Sequence, residues 1–520
     1  MRNRSPHSNQ KGCHQGFPRF PLMSWYPSTT QTKASILLTL LLLSACAAQP
    51  TPDLSATSTP QLISSPSLVK LINTRATSTP FQPCSPTPPT LTATPTLTPL
   101  PATATPTPVS YTPTPTIPSW PPPHFGGPGP TPVTPVPPPT MILSSAETVN
   151  FLLLGSDRRG LSFRTDTIII ASVRPRDNLV TLISIPRDLF VYIPGYTMQR
   201  INTAYQHGEI TNYPGGGQQL IKDTVLYNLG IHIDHVAMVE FAGFKEIINT
   251  LGGIDVPLVC SFTDWHIIDP DRSEHDVNNW ELHTIGPGVI HMDGALALWY
   301  ARSRMRSSDF DRGRRQQEVL RAIYTKGMNI NVITRIPALY NDLRAMVTTD
   351  VSLGTILNLV PMVAKLSAPR IRSYYINRDY VNSWRTPQGA AVQLPDYVPL
   401  LEMLKEAMGL PSDPDESRLT AVVEIWNGTN YPNWDILGAE RLHYLGYNTK
   451  INTADDTNYD QSLLIDLTGE QDEQALRSLG EALGLPASAL VSDPDPDSDY
   501  DYRFIIGIDY NTCFDPAKLP

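Results

Sequence analysis

Three aliphatic runs stand close together in the chain: Asn150-Phe151-Leu152-Leu153-Leu154, Thr167-Ile168-Ile169-Ile170-Ala171-Ser172-Val173 and Leu179-Val180-Thr181-Leu182-Ile183-Ser184-Ile185. Near-continuous apolar runs rich in β-branched residues predict strands covered on both faces by helices. Only Arg174-Pro175-Arg176-Asp177-Asn178 separates the second from the third, so the spacing predicts an antiparallel meander. Helical spacing follows at Leu220, Ile221, Val225, Leu226 and Leu229, and again at Phe244, Ile247, Ile248 and Leu251, with Gly252-Gly253 as the stop. Between them residues 235 to 241 read as another strand. The pattern predicts an α/β layer sandwich. Helical spacing at Ile356, Leu357, Leu359, Val360, Val363 and Leu366, a strand near residues 371 to 376 and a helix near residues 400 to 408 complete this part, assigned to residues 141–410.

Asp413-Pro414-Asp415 reads as a hinge before a second, smaller α/β region at residues 417–513. There residues 419 to 425 form a strand running into the turn Trp426-Asn427-Gly428-Thr429. A helix over 436 to 445, a strand after Gly446-Tyr447-Asn448, a helix over 473 to 483 and a last strand over 502 to 508 follow. No acid/base or metal constellation stands in this region, and Asp493-Pro494-Asp495-Pro496-Asp497 lacks the spacing of a metal loop.

The first 140 residues follow another pattern. Lys33 precedes an apolar run from Ala34 to Leu43, far short of the about 20 residues a membrane helix needs. That reads as the core of a signal peptide, residues 1–46, and the long segment before it suggests Met23 as the true start. Leu43-Ser44-Ala45-Cys46 resembles a bacterial lipobox, with cleavage before Cys46 and a lipid on that cysteine; an uncleaved anchor or an ordinary signal peptide is the alternative. Residues 47–140 hold about half of the 52 prolines, alternating with Thr and Ser and nearly free of charge. Such a stretch cannot bury apolar surface and predicts a disordered, extended stalk.

A formal charge of −10 excludes a protein that coats nucleic acid through bulk positive charge, so any anion site must be local. The five cysteines (Cys13, Cys46, Cys84, Cys260, Cys513) show no zinc-site spacing. Cys260 and Cys513 could pair in an oxidising compartment. The meander brings Asp157, Arg158, Arg164, Asp166 and Arg187 to one edge of the sheet. Two carboxylates among three arginines at the mouth of an apolar sheet suit an anion-plus-metal site better than a core. A second basic cluster runs through Arg302, Arg304, Asp309, Arg312, Arg314, Arg315 and Gln316, in which Arg312, Arg315 and Gln316 share a helical face. A solvated, salt-bridged surface is the plain reading of that cluster alone.

Phe151-Leu152-Leu153-Leu154-Gly155-Ser156-Asp157-Arg158, Arg164-Thr165-Asp166-Thr167, Ser184-Ile185-Pro186-Arg187-Asp188, Arg200-Ile201-Asn202-Thr203-Ala204-Tyr205, Leu251-Gly252-Gly253-Ile254-Asp255-Val256 and the block from Arg302 to Gln316 stand in one order. Together they resemble the LytR-CpsA-Psr family, and residues 417–513 resemble the LytR C-terminal domain. The resemblance implies a three-layer α/β/α sandwich with a mixed central sheet. It also implies an extracytoplasmic, Mg²⁺-dependent phosphotransferase that moves a glycopolymer phosphate from an undecaprenyl-diphosphate carrier onto peptidoglycan. Members of that family are usually anchored by a transmembrane helix; this chain offers a lipobox and stalk, hence a lipid anchor at the outer face of the membrane.

Diphosphate chemistry needs charge neutralisation and positioning. Asp157 and Asp166 are the expected Mg²⁺ ligands. Arg164, Arg187, Arg302 and Arg304 are expected to fork onto the phosphates, and Arg312 and Gln316 match family positions at the phosphate. Asp309 either takes the acceptor proton or caps the helix that begins near Arg312. Asp188 is expected to orient Arg187, and Asn202 to satisfy turn backbone. Phe241, Phe244, Ile247, Ile248, Leu251, Leu296 and Leu298 are candidates for an apolar groove or for plain core. A polyprenyl-diphosphate hydrolase and a non-catalytic envelope-binding or regulatory protein are the competing functions.

Overall fold

The structure, a computed structural model, describes residues 138–142, 148–157, 164–269, 272–273, 275–329, 344, 346–469 and 473–519. The expected signal peptide, Cys46 with its lipobox, most of the Pro/Thr stalk and Arg158 lie outside them. Among the described residues no helix is long and apolar enough to cross a membrane.

The three aliphatic runs become β1 (Val149–Ser156), β2 (Thr165–Arg174) and β3 (Leu179–Ser184), paired antiparallel in succession. α1 (Gly216–Leu229) leads to β4 (His235–Glu240), parallel to β1, and α2 (Phe241–Thr250) follows without a loop. β5 (Ile254–Leu258), β6 (Phe262–Ile267), β7 (Trp280–Ile285) and β8 (Gly288–Met292) form nested hairpins, β6 with β7 and β5 with β8. After α3 (Gly294–Arg302) and α4 (Asp309–Asn329) come β9 (Val347–Thr349), α5 (Leu353–Val363), β10 (Ile371–Tyr375) and α6 (Tyr397–Met408). The central sheet runs β9-β4-β1-β2-β3-β10, and its mixture of parallel and antiparallel pairs is the expected mixed sheet.

Strand alternation divides the core in two. Phe151, Ile169, Ala171, Val180 and Leu182 face one side with Ile247 and Ile248 of α2, Val319 and Ile323 of α4 and Ile356 and Leu359 of α5. Leu152, Leu154, Ile168, Ile170 and Ile183 face the other with Leu220, Ile221, Val225 and Leu229 of α1 and Leu400, Met403 and Leu404 of α6. Each such aliphatic side chain contributes about 1.5–3 kcal/mol on burial, which sets the strand register firmly and fixes where the strand ends fall.

The region after α6 departs from the sequence reading at its start. Asp413-Pro414-Asp415 is no hinge but the first turn of α7 (Asp413–Thr420): Ser412 and Asp415 form a reciprocal capping box, and a proline there removes only an N–H that would lack a helical partner anyway. Leu419 and Thr420 therefore close a helix, and the strand begins at Val422. β11 (Val422–Asn427), α8 (Trp434–Tyr444), β12 (Asn448–Asn452), β13 (Leu463–Asp466), α9 (Glu473–Leu483), β14 (Leu490–Ser492) and β15 (Tyr502–Ile506) form a sheet in the order β12-β11-β15-β13-β14 around a core of its own.

A disulfide and a buried ion pair are among the links that hold this region to the rest. Cys260 and Cys513 are disulfide-bonded. Arg321 of α4 meets Glu440 of α8 at 3.1 Å, lies over the Tyr444 ring at 4.4 Å and donates to the Ile371 carbonyl. Burial works to raise the Glu440 carboxyl, but Arg321 and His443 together outweigh it and hold the group down at about 2, from an ordinary 4.5. A depressed carboxylate contributes stability above its ordinary value and loses it as pH falls toward its folded value. Acid titration of the intact chain, followed by near-ultraviolet circular dichroism, should show tertiary signal lost progressively below the ordinary carboxylate range. Arg321→Met, which strands a buried charge, should cost about 3 kcal/mol at neutral pH. An unchanged urea midpoint for that variant would refute this account of the link.

Candidate active site

The site begins with an irregularity in the β1–β2 pairing. Gly155 pairs with Thr167 but Ser156 pairs with Thr165, so Asp166 is the extra residue of a bulge. A bulge bends the strand and re-aims a side chain. Glycine is required opposite it, because a Cβ at Gly155 would stand 2.9 Å from the Thr167 side chain. Beyond the bulge, Asp157 and Arg164 continue the approach of the two chains: the Arg164 N–H donates to Asp157 Oδ1 at 3.2 Å. Arg164 itself is exposed.

Arg187 follows β3 through Ile185-Pro186, and its turn is tied by the Asn202 N–H, which donates to the Arg187 carbonyl. Asn202 thus serves the turn through its backbone, as expected of a structural residue. The Arg187 guanidinium takes Asp166 at 2.6 Å, Asp188 at 3.4 Å and Asp309 at 3.6 Å. Burial opposes its charge, yet Asp166, with Asp188 and Asp309, raises its affinity for the proton. Burial and the facing Asp309 in turn push the Asp188 carboxyl up, despite Arg187 and Arg200. Asp188 orients Arg187 as expected and also accepts from Arg200 at 3.2 Å.

The second cluster arrives on α4. This helix begins at Asp309, three residues before the expected start, and its cap is Ser308 with Asp311: the Ser308 N–H and hydroxyl donate to Asp311 Oδ2, and the Asp311 N–H donates back to the hydroxyl. Asp309 is therefore not the cap. It is instead the carboxylate on which three arginines converge, with Arg312 at 3.2 Å, Arg304 at 3.5 Å and Arg187 at 3.6 Å. Arg312 is 4 % exposed, donates to the Asp166 carbonyl and has its pKa lowered by burial. Gln316 donates to the Ala301 carbonyl, and Arg302 lies over the Phe241 ring at 4.3 Å.

The expected face of Arg312, Arg315 and Gln316 does not survive as a ligand surface. Arg315 is fully buried and donates to the carbonyls of Tyr300 and Ser303 and to the Ser307 hydroxyl at 2.9 Å. It satisfies the open C-terminal end of α3 and holds the loop that carries Arg304. Burial lowers its pKa to about 10.

Beneath this polar mouth lies an apolar cavity of about 930 Å³, its opening included. Leu153, Ile169, Ala237, Val239, Phe241, Phe244 and Leu298 line it, while Asp166, Arg302, Arg312 and Gln316 rim it. Of the seven groove candidates, Phe241, Phe244 and Leu298 face the cavity; Ile247, Ile248 and Leu251 belong to the core, and Leu296 packs against that core. Five arginines (Arg187, Arg200, Arg302, Arg304, Arg312) stand among three carboxylates (Asp166, Asp188, Asp309), an excess of two positive charges. Such a mouth suits a polyanionic group attached to an apolar chain.

Three contributors were missed from sequence. Gly155 and the Ser308/Asp311 box had signals, the first a glycine at a strand end and the second a Ser-x-x-Asp spacing. Buried Asp264 had none: it accepts from the N–H groups of Trp265 and Met305, tying β6 to the Arg304 loop.

The fold and site define an α/β/α protein with an arginine-ringed anion mouth over an apolar pocket. The chain belongs to the LytR_cpsA_psr family, which residues 133–407 match. Among curated relatives, the polyisoprenyl-teichoic acid–peptidoglycan teichoic acid transferase TagU of Enterococcus faecalis is 34% identical over 217 residues, 40% of this chain and 64% of that protein. Its namesake in Bacillus subtilis is 30% identical over 214 residues, 40% of this chain and 62% of that protein. The chain thus spans under two thirds of the length of these relatives. Among solved structures, that of Bacillus subtilis TagU is 27% identical, covering 52% of this chain and all of that one with a TM-score of 0.37; Bacillus subtilis TagV is 26% identical, covering 50% and 96% with a TM-score of 0.41.

Arg315 and Arg304 should separate scaffold from ligand contact. Arg315→Met leaves the Tyr300 and Ser303 carbonyls unpaired in the interior and should cost about 2–4 kcal/mol in urea unfolding. Arg304→Ala removes a half-exposed ion pair, should cost less than about 1 kcal/mol and should still weaken binding of a diphosphate. Equal destabilisation by the two would contradict the assignment.

Proposed function

We propose that the chain is an extracytoplasmic phosphotransferase that moves a glycopolymer phosphate from an undecaprenyl-diphosphate carrier onto a hydroxyl of peptidoglycan. The observation that carries this reading is the continuity of the arginine mouth with the apolar cavity: Asp166, Arg302, Arg312 and Gln316 belong to both. Membership of the LytR_cpsA_psr family and the transferase names of the curated relatives support it.

In this reading the polyprenyl tail lies along Leu153, Val239, Phe241, Phe244 and Leu298, and the diphosphate meets Arg187, Arg302, Arg304 and Arg312, with Arg164 at the rim and Gln316 donating beside them. The acceptor oxygen bonds to the glycan-side phosphorus, the bridging P–O bond breaks, and the electron pair leaves with polyprenyl monophosphate. Charge develops on the departing phosphate, where fixed guanidinium groups stabilise it without reorganising. Asp309, with two oxygens at the meeting point of three arginines, is placed to take the acceptor proton. Asp157 and Asp166 are hard oxygen donors that suit Mg²⁺; among the described residues no group of three or more acidic, His or Cys side chains could hold an ion, so water and diphosphate oxygens would complete its shell. Bound there, the ion would act as a Lewis acid on diphosphate oxygens. A lipid on Cys46 and the Pro/Thr stalk would hold the protein at the outer face of the membrane.

The test is transfer of labelled glycan phosphate from a synthetic undecaprenyl-diphosphate donor to peptidoglycan oligosaccharide by the full chain. Polymer-linked product should form, fall sharply with chelator and fall about 10²–10³-fold in kcat/KM with Arg187→Ala. Release of free glycan phosphate at a rate indifferent to acceptor would make it a hydrolase, and binding of donor without turnover would make it a non-catalytic envelope protein.

A further inference from the structure

A second cavity opens beside the last turns of α3. From α3, Leu298, Ala301 and Arg302 line the first cavity and Ala295, Leu298, Trp299 and Arg302 the second, so the two open on adjacent faces of its last turns. Leu298, Arg302, Arg312 and Asp166 line both, so the two cavities meet at the arginine mouth. The second is an open cleft of about 1550 Å³, its opening included, and Trp265, His266, Trp280 and Trp299 line it together with Arg187, Arg304 and Lys245.

The aromatic wall is built and held rather than incidental. Trp265 pairs with Leu282 and Ile267 with Trp280 across the β6–β7 hairpin, so the two tryptophans are diagonal neighbours on one face. The Trp299 indole N–H donates to the Trp265 carbonyl at 2.8 Å. On the hairpin's other face Phe262, His266 and His283 pack edge-on around the Trp299 ring at 5.2–5.5 Å. Asp264, fully buried, takes the N–H groups of both Trp265 and Met305. These contacts tie the hairpin to the end of α3 and to the Arg304 loop, while Trp265 itself stays 37 % exposed.

We propose that this cavity is the acceptor subsite, in which the indole faces of Trp265 and Trp280 stack on pyranose rings of the acceptor glycan. The inference rests on the phosphotransferase reading. In a phosphoryl transfer the entering oxygen and the leaving oxygen lie roughly in line on opposite sides of the phosphorus. With the polyprenyl tail in the first cavity, the leaving phosphate departs on that side of Arg302 and Arg312, and the acceptor enters from the other. Flat, rigid indoles match the C–H face of a sugar ring and leave its hydroxyls at the edge, one of them directed toward the arginine mouth. The donor carries pyranose rings too, so the same stacking could serve the donor; a cavity separate from the lipid cavity, with the arginine mouth between the two, favours the acceptor.

Titration calorimetry on the full chain decides this, with a soluble peptidoglycan tetrasaccharide in one arm and a short polyprenyl-diphosphate-linked glycan in the other. Trp265→Ala and Trp280→Ala should each weaken the tetrasaccharide at least about tenfold, leave donor affinity within about twofold, and raise acceptor KM with little change in kcat. Trp265→Phe should restore most of the affinity. Unchanged tetrasaccharide affinity in variants that still bind donor overturns the inference, and so does a loss confined to the donor. The tetrasaccharide arm decides the subsite by itself; failure of the wild type to bind donor would sink the phosphotransferase reading separately.

Discussion

The contact between Arg187 and Asp166 is the constraint on which the site depends. Asp166 points where it does because one residue of β2 has no partner on β1, and Arg187 stands where the buried run of β3 ends. The same guanidinium also meets Asp188 and Asp309, so one side chain joins a strand bulge, a strand end and the first turn of α4. A nearly buried arginine is costly without partners, and three carboxylates within 2.6–3.6 Å offset its charge. They do not neutralise the neighbourhood, because Arg302, Arg304 and Arg312 stand beside them. The surplus suits the mouth to an anion, and the low-dielectric cavity beneath strengthens charge interactions above it.

Helix α4 connects this chemistry to the rest of the chain. Its first turn carries Asp309 and Arg312, Gln317 in the third donates to Ser184 at the end of β3 and to the Tyr374 carbonyl of β10, and Arg321 reaches Glu440. The position of the mouth is thereby fixed by the central sheet on one side and by the C-terminal region on the other. Arg315, between them, closes the end of α3.

The strands and most helices were legible because burial on two faces writes itself as uninterrupted aliphatic runs, and the meander then followed from a five-residue turn. Asp166 and Arg187 were legible together from strand order, and Asp309 and Arg312 from local spacing; that the two pairs share one site followed only from the family resemblance. What sequence could not give was the fate of each arginine. Arg315 and Arg312 lie in the same helix turn with the same chemistry, yet one satisfies α3 carbonyls and the other rims a cavity, and only the packing of α3 against α4 decides between them. The β6–β7 hairpin escaped for a related reason: its residues 262 to 285 mix aromatic, acidic and histidine positions, and its partner contacts at Trp299 and Met305 are distant in sequence. The Cys260–Cys513 disulfide spans 253 residues and was open for the same cause.

The central claim is that arginine mouth and apolar cavity bind one amphiphile. The most direct measurement compares affinities of the full chain for a short polyprenyl diphosphate, the matching polyprenol and inorganic diphosphate. The account predicts that the first binds at least about a hundredfold more tightly than either other ligand, since only it occupies both parts at once. Polyprenol binding as tightly as its diphosphate would show that the arginines take no part, and would contradict the account.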